Sequence, residues 1–144
     1  MNARTATERP APTQPEEAVE FRHGIPGFEY LTRFTITSLE DHPPFQLLRS
    51  VEEPDVAMLI LELKHIKTAT IHIPETELEK LKIERRDDPR LKIYAILKFD
   101  RTSQWFTANE KAPVVVNEVE RLGEQIILED EELSFNRPVM LADG

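Results

Sequence analysis

Short apolar runs of the β type recur along most of the sequence, and turn-forming residues separate them. The runs occupy residues 33–39, 45–51, 55–61, 69–73, 91–99, 105–107, 113–116 and 124–128. Residues 33–39 alternate with a period of two, whereas residues 55–61 are nearly all apolar and suit a strand buried on both faces. Many short strands of this kind are typical of an all-β sandwich or a small barrel.

One segment, residues 74–82, has the pattern of a helix. Pro74 suits a first helical position, because the N–H that it lacks would be unpaired there. Leu78 and Leu81 are three residues apart and therefore share a face. A helix this short is not stable alone, so we expect it to pack on the sheet.

The length of 144 residues indicates a single domain. Residues 1–18 contain three of the 11 prolines and almost nothing to bury, which predicts a mobile N-terminal extension. Residues 19–140 form the predicted β domain. Residues 141–144 are predicted to be a frayed C-terminal end.

The charge of the chain excludes several classes of function. It has 27 acidic and 18 basic side chains, a formal net charge of −9. Direct nucleic-acid binding and anionic membrane binding both need clustered Lys and Arg, so we expect neither. There is no cysteine, no apolar run long enough to span a membrane and no apolar leader. We therefore predict a cytoplasmic protein.

Residues 24–29 give the clearest local signal. Pro26 presets φ for the second position of a turn, and Gly27 supplies the positive φ that the third position of a type II turn requires. Gly24 permits a second tight bend. The segment is either a turn that defines the fold, with Phe28 as a core anchor, or a rigid exposed loop that contacts a partner.

Residues 107–117 form a second distinctive stretch. Asn109 can bond to its own backbone, which predicts a turn, and Pro113 suits the first position of a strand. The valines that follow enter the core, and Asn117 closes the run. Residues 120–123 are then predicted to turn the chain back into the run at 126–128.

Charge is unevenly distributed along the sequence. Residues 118–132 hold seven acids against one base, whereas residues 80–92 hold six bases against three acids. Such runs are usually solvated faces. The acidic run, with Glu118, Glu120 and Glu124 at its start, could instead steer a basic partner.

Catalysis has little support in the sequence. The four histidines His23, His42, His65 and His72 are scattered, and none forms an i, i+4 ligand pair. There is no phosphate-binding loop, nucleophile elbow or dinucleotide fingerprint. We predict no catalytic residue, no metal site and no cofactor, so the protein is not expected to be an enzyme.

Two blocks of sequence resemble the flagellar assembly factor FliW family. Residues 21–29 (FRHGIPGFE) resemble its N-terminal signature. Its C-terminal signature is similar to residues 107–117 (TANEKAPVVVN) followed by residues 123–128 (GEQIIL). The resemblance covers residues 19–140. It implies a small antiparallel β-barrel-like domain with little helix, in agreement with the mainly β pattern and its one short helix.

The resemblance also implies a function. Members of this family bind the RNA-binding translational repressor CsrA, keep it off flagellin messenger RNA and also bind flagellin. Flagellin that accumulates in the cytoplasm then occupies the regulator and releases CsrA, which couples flagellin synthesis to secretion. A secretion chaperone that shields flagellin is the alternative, and a small-ligand-binding or hydrolytic β-barrel is a third. The partner-contact residues that we predict are Gly24, Ile25, Pro26, Gly27, Phe28, Glu29, Asn109, Asn117, Glu118, Glu120 and Glu124.

Overall fold

The computed structural model describes residues 17–142 and consists mainly of β-strands. The strands are Val19–Glu20 (β1), Arg33–Ser38 (β2), Gln46–Ser50 (β3), Ala57–Glu62 (β4), Leu91–Asp100 (β5), Trp105–Asn117 (β6), Leu122–Gln125 (β7) and Arg137–Pro138 (β8). A short 3-10 turn, Leu63–His65, follows β4, and an α-helix, Glu75–Lys80 (α1), precedes β5. The predicted mobile extension lies almost wholly outside the described residues.

Seven of the strands form a closed barrel. Their order is β5-β4-β3-β2-β1-β7-β6, and pairing between β5 and β6 closes the ring, while β8 adds to the free edge of β6. The mainly β, barrel-like prediction is confirmed, with one difference. β1 and β7 run parallel, pairing at Glu20 and Leu122. A closed ring with an odd number of strands cannot alternate direction throughout, so at least one neighbouring pair must be parallel.

The apolar side chains form one core inside the barrel and two outside it. The inner core contains Phe21, Phe34, Leu48 and Ile60, which are completely buried. The second core packs α1 and the segments around it on the outer face of β5, β6 and β7. The third lies outside β4, β5 and β6 and is covered by residues 63–66 and 139. Strands between two cores need apolar residues on both faces.

The valine run shows how this arrangement follows from the sequence. Side chains alternate between the two faces of a strand. Val114 and Val116 therefore enter the inner core, whereas Val115 enters the second core with Leu122 and Ile126. All three valines are at most 1% exposed.

The helix is shorter than predicted. Pro74 is its N-cap residue, with extended backbone (φ −60°, ψ 144°), and does not occupy the first helical position. Leu78 and Leu81 are both 1% exposed and lie in the second core, as their spacing predicts. Lys82, which follows the C-cap residue Leu81, has a left-handed backbone conformation (φ 61°) that prevents the helix from continuing.

β6 differs most from the prediction. Residues 105–107 and 113–116 belong to one continuous strand, and Asn109 lies inside it instead of at a turn. Pairing with β5 jumps from Tyr94–Val114 to Ile96–Asn109, so several residues of β6 bulge opposite Ala95. A bulge accommodates Pro113, since its missing N–H breaks no regular ladder bond there.

Three other expectations also need correction. Residues 69–73 form no strand, and the N–H of Ala69, which a strand would use in its ladder, donates to the side chain of Glu110 (3.1 Å). The β6–β7 turn occupies residues 118–121 rather than 120–123, and Arg121 has the positive φ (60°). In the predicted frayed end, Leu141 pairs with Ile66 and the N–H of Ala142 donates to the His65 carbonyl (2.8 Å). The last two residues lie outside the described part.

Glu110 fastens the chain around the bulge. Its side chain is completely buried, pairs with the guanidinium of Arg137, and accepts hydrogen bonds from the N–H groups of Ala69 (3.1 Å) and Ser134 (2.9 Å). Burial raises the pKa of Glu110. The hydrogen bonds from Arg137, Ser134 and Ala69 lower the pKa by a larger amount together, so it lies below its usual value. One carboxylate thus joins three separate segments.

Replacing Glu110 by Gln is expected to lower the free energy of unfolding by about 2 kcal/mol at pH 7, since buried charge-assisted hydrogen bonds are lost. The pKa of Glu110 is lower in the folded protein than in the unfolded chain. The stabilisation is therefore fully present at a pH above the pKa of the unfolded chain, and it is lost as the pH falls through the pKa of the folded protein. Urea unfolding from pH 7 to pH 3 measures it. Glu129→Gln, on the surface, is the control. Equal stability of the two variants at pH 7 would contradict the proposed role of Glu110.

Candidate partner-binding surface

Residues 24–29 form the double bend that the sequence predicts. Gly24 and Gly27 both have positive φ, at 67° and 91°. The N–H of Phe28 donates to the carbonyl of Ile25 (2.6 Å), which closes the turn around Pro26 and Gly27. The N–H of Gly27 donates to the carboxylate of Glu29 (3.1 Å), so the tip of the loop is held in one shape.

The core anchor of this loop is Ile25, whereas the sequence predicted Phe28. Ile25 is 2% exposed and lies in the inner core of the barrel, while Phe28 is only half-buried at its edge. Pro26, Gly27 and Glu29 are exposed. The loop is therefore both a structural turn and an exposed surface, and these two interpretations do not exclude each other.

The two distinctive sequence blocks meet in space. The Phe21 ring packs on the backbone of Gly123 in β7, where an added Cβ would lie 2.6 Å from a ring carbon. Nδ1 of His23 lies 2.8 Å from a carboxylate oxygen of Glu124. The N–H of Glu20 also donates to the Arg121 carbonyl (2.9 Å). The loop of residues 24–29 is thereby fixed next to β7.

Asn117 has a structural role. It is completely buried, its Nδ2 donates to the Leu81 carbonyl (2.9 Å), and its Oδ1 accepts from the N–H groups of Val119 (3.1 Å) and Glu120 (3.0 Å). These bonds join the end of α1 to the β6–β7 turn. Asn117 thus shapes the turn and offers no side-chain atom to a partner.

Each of the three predicted contact residues of the acidic run, Glu118, Glu120 and Glu124, already has a basic neighbour. Glu118 lies 4.0 Å from the ammonium of Lys92, Glu120 lies 3.5 Å from that of Lys82, and Glu124 lies beside His23. Glu118 and Glu120 remain partly exposed, at 47% and 41% of their side chains, whereas Glu124 is 14% exposed. The exposed ion pairs of Glu118 and Glu120 are weak and leave those two carboxylates accessible.

Asn109 lies apart from this surface. It is eight positions before Asn117 on β6, and its Oδ1 accepts from the N–H of Lys111 (2.9 Å) in the bulge. The expected bond to its own chain is present, although the chain does not turn there. The structure thus groups residues 24–29 with Glu124 and places Glu118 and Glu120 on the neighbouring turn. We call these residues the loop–turn surface.

The described residues offer little for catalysis. Within residues 17–142 no three His, Cys, Asp or Glu side chains are grouped as a metal site. The strongest pKa shifts lie far from neutrality. Hydrogen bonds from Arg90 lower the pKa of Asp88 to about 2, and burial raises the pKa of Tyr94 to about 12. In the same part of the chain, no helix has the length and apolar character to cross a bilayer.

Comparison with known proteins identifies the family. The FliW protein family matches residues 3–139 of this chain. This chain belongs to the FliW family. The flagellar assembly factor FliW of Anoxybacillus flavithermus is 38% identical over 111 residues, 76% of this chain and 74% of that protein. The flagellar assembly factor FliW of Clostridium tetani is 30% identical over 125 residues, 86% and 85% of the two chains.

A crystal structure of the flagellar assembly factor FliW matches the fold. It superposes with a TM-score of 0.78 at 30% sequence identity and covers 89% of each chain. The resemblance seen in the two sequence blocks is therefore confirmed across the barrel. The FliW match begins at residue 3, within the segment that the sequence predicts to be a mobile extension.

Sequence reasoning missed two features of this FliW-family protein. The buried carboxylate of Glu110 had no distinctive local signal, because its partners Ala69 and Arg137 are distant in sequence. An exposed group of apolar side chains near Trp105 was also overlooked. The adjacent aromatic residues Trp105 and Phe106, directly after a polar turn, were the available signal for it.

Gly24→Ala is expected to be more destabilising than Gly27→Ala. A Cβ on Gly24 would lie 2.5 Å from the Cα of Glu29, whereas one on Gly27 meets nothing within 4 Å. Backbone strain alone costs about 1–2 kcal/mol at either site, and the clash adds to it at Gly24. Thermal unfolding of both variants measures the difference. Equal losses would show that the loop does not pack as described.

Proposed function

We propose that this chain is a cytoplasmic flagellar assembly factor that binds CsrA and flagellin. It acts as a non-enzymatic antagonist of CsrA and thereby couples flagellin synthesis to flagellin secretion. Membership of the FliW family supports this proposal, as does the name flagellar assembly factor that its relatives from A. flavithermus and C. tetani carry. The proposal requires no cofactor and no direct contact with RNA.

The observation that carries the proposal is the meeting of the two family-like sequence blocks at the loop–turn surface. Phe21 packs on Gly123 and His23 pairs with Glu124, so the loop of residues 24–29 is held against β7, the strand that follows the turn carrying Glu118 and Glu120. A preformed surface loses little conformational entropy when a protein docks on it. We place the CsrA contact here, with Pro26, Glu29, Glu118 and Glu120 as its accessible side chains.

The charge of the chain suits a partner that binds RNA. Such a protein presents basic groups to phosphates, so an acidic molecule is attracted to it. The exposed carboxylates of Glu118 and Glu120 lie on the side that we assign to CsrA. A protein of net charge −9 docked next to an RNA path adds negative potential along that path. Antagonism is then possible without occupation of the RNA site.

A chaperone that only shields flagellin would use the same scaffold, but it would not bind CsrA. Side chains of the inner core, among them Phe21, Phe34 and Leu48, occupy the barrel interior. A small-ligand barrel instead needs an internal cavity lined by converging polar groups. The filled interior disfavours a small-ligand barrel, and binding of CsrA is the property that separates the regulator from the chaperone.

Isothermal titration calorimetry of the full chain with purified CsrA tests the function. We expect saturable binding of CsrA, saturable binding of flagellin, and a loss of CsrA binding after the chain has been saturated with flagellin. Binding of flagellin alone would favour the chaperone. Binding of neither protein would overturn the proposal.

The charge mechanism is testable with two variants of equal net charge. Replacement of Glu118, Glu120 and Glu124 by Lys changes the formal charge from −9 to −9 + 6 = −3, and so does replacement of Glu129, Glu131 and Glu132. We expect the first triple variant to lose CsrA binding by about tenfold or more, because the charges of two contact residues are reversed and Glu124 no longer pairs with His23 beside the loop. The second should bind CsrA with little change.

The affinity of CsrA for RNA, measured in the presence of each variant over a range of salt concentrations, tests whether the negative potential of the docked protein repels RNA. If repulsion by the docked acid contributes, the second variant binds CsrA but inhibits RNA binding less than the natural sequence does, and added salt weakens the inhibition. If inhibition is independent of salt and equal for the second variant and the natural sequence, electrostatic repulsion of RNA is refuted.

A further inference from the structure

The third core extends to the surface at the tip of the β5–β6 hairpin. Phe106 lies at its edge and is half-buried, and beyond it the apolar side chains are exposed. Phe99 is 46% exposed, Trp105 50%, Met140 60% and Leu141 45%. We call these five residues the aromatic cap. Contiguous exposed apolar groups of this kind mark sites of protein–protein contact.

The aromatic cap is held rigidly. The rings of Phe99 and Phe106 pack edge to face with centroids 5.3 Å apart, and those of Trp105 and Phe106 are 6.0 Å apart. The indole Nε1 of Trp105 donates to the carbonyl of Val139 (2.7 Å), which ties the cap to the C-terminal segment. Ordered aromatic side chains supply contact area at low entropic cost.

The surroundings of the cap are basic, unlike most of the molecule. Lys98 and Arg101 flank Phe99 along the hairpin, and the backbone N–H of Lys67 donates to the carbonyl of Met140 (2.8 Å). All three side chains are exposed, and none has an ion-pair partner within residues 17–142. The nearest described acid on the hairpin, Asp100, accepts a hydrogen bond from the N–H of Ser103 and interacts with Lys98, so these three bases face one acid on the hairpin.

We propose that the aromatic cap is a second docking surface, which binds an apolar protein segment flanked by carboxylates. Resting on the proposed function, we assign this segment to flagellin that has not yet polymerised. A subunit that assembles into a filament buries apolar surface against its neighbours, and that surface is unpartnered before assembly. The three bases complement carboxylates, and they disfavour the basic surface of an RNA-binding protein.

The cap is separate from the loop–turn surface. Trp105 begins β6 and Asn117 ends it, so the two surfaces lie towards opposite ends of one strand. We therefore infer that flagellin and CsrA contact different residues. Variants of the cap should lower the affinity for flagellin and leave the affinity for CsrA unchanged.

Calorimetry with flagellin tests the assignment with three variants of the full chain. Met140→Glu places a carboxylate in the cap. The double variant Lys98→Glu with Arg101→Glu reverses the charge of two bases beside the cap without altering the aromatic packing. Ile127→Glu is the matched control. Ile127 is 62% exposed, and it lies beside Ala112 in the bulge of β6, away from the hairpin tip that carries Trp105. We expect about tenfold weaker flagellin binding for the first two variants and no change for the control.

A fluorine label reports contact directly. Trp105 is the only tryptophan, so 5-fluorotryptophan gives one ¹⁹F resonance, and that resonance should shift when flagellin is added. Flagellin binding that all three variants retain, without a ¹⁹F shift, would overturn the cap assignment and leave the proposed function intact. Failure of flagellin to bind the natural chain would instead overturn the proposed function.

Other occupants of the cap predict different results. A ¹⁹F shift that depends on the concentration of the chain alone, with Met140→Glu abolishing a dimer, would mean that a second copy covers the cap. A shift on addition of a single-stranded RNA oligonucleotide would mean that the bases and rings bind RNA. Either result, in the absence of a response to flagellin, would overturn the proposal.

Discussion

Strand β6 is the element on which the rest of the structure depends. It pairs with β5, β7 and β8, and its pairing with β5 closes the barrel. Its bulge redirects the strand from the hairpin tip to the barrel wall, and the Glu110 carboxylate fixes that bend to the segments at Ala69 and Ser134. A buried carboxylate is stable only when it is paired and hydrogen-bonded. The geometry of the wall therefore depends on the C-terminal segment that carries Arg137.

Local sequence signals predicted the features that local physics determines. The period of the strands, the apolar face of α1 and the positive φ of Gly24 and Gly27 follow from nearby residues, and each is present. The continuity of β6 was missed because Asn109 and Pro113 resemble breaks when considered alone. Only contacts with distant segments keep these residues in the strand. The parallel pairing of β1 with β7 follows from the closure of the ring, which no short window of sequence reveals.

The residues predicted to contact a partner have different roles in the structure. Gly24 and Asn117 shape the backbone, whereas Pro26 and Glu29 are exposed at the loop tip. The acidic run was predicted from its charge, but the sequence could not indicate that Glu118 and Glu120 face Lys92 and Lys82. Those bases come from another part of the chain, which supplies six positive charges close to the second core. Ion pairing reduces the local field and leaves a surface less negative than the sequence suggests.

The two proposed surfaces differ in charge and lie at opposite ends of β6. The loop–turn surface presents carboxylates, and the aromatic cap is surrounded by Lys67, Lys98 and Arg101. If bound flagellin excludes CsrA, shared contact residues cannot explain the exclusion. It must arise from the size of the partners or from a displacement transmitted along β6. The bonds of Glu110 tie β6 to neighbouring segments and would carry such a displacement, so a Glu110→Gln variant that weakens the exclusion would favour transmission over size.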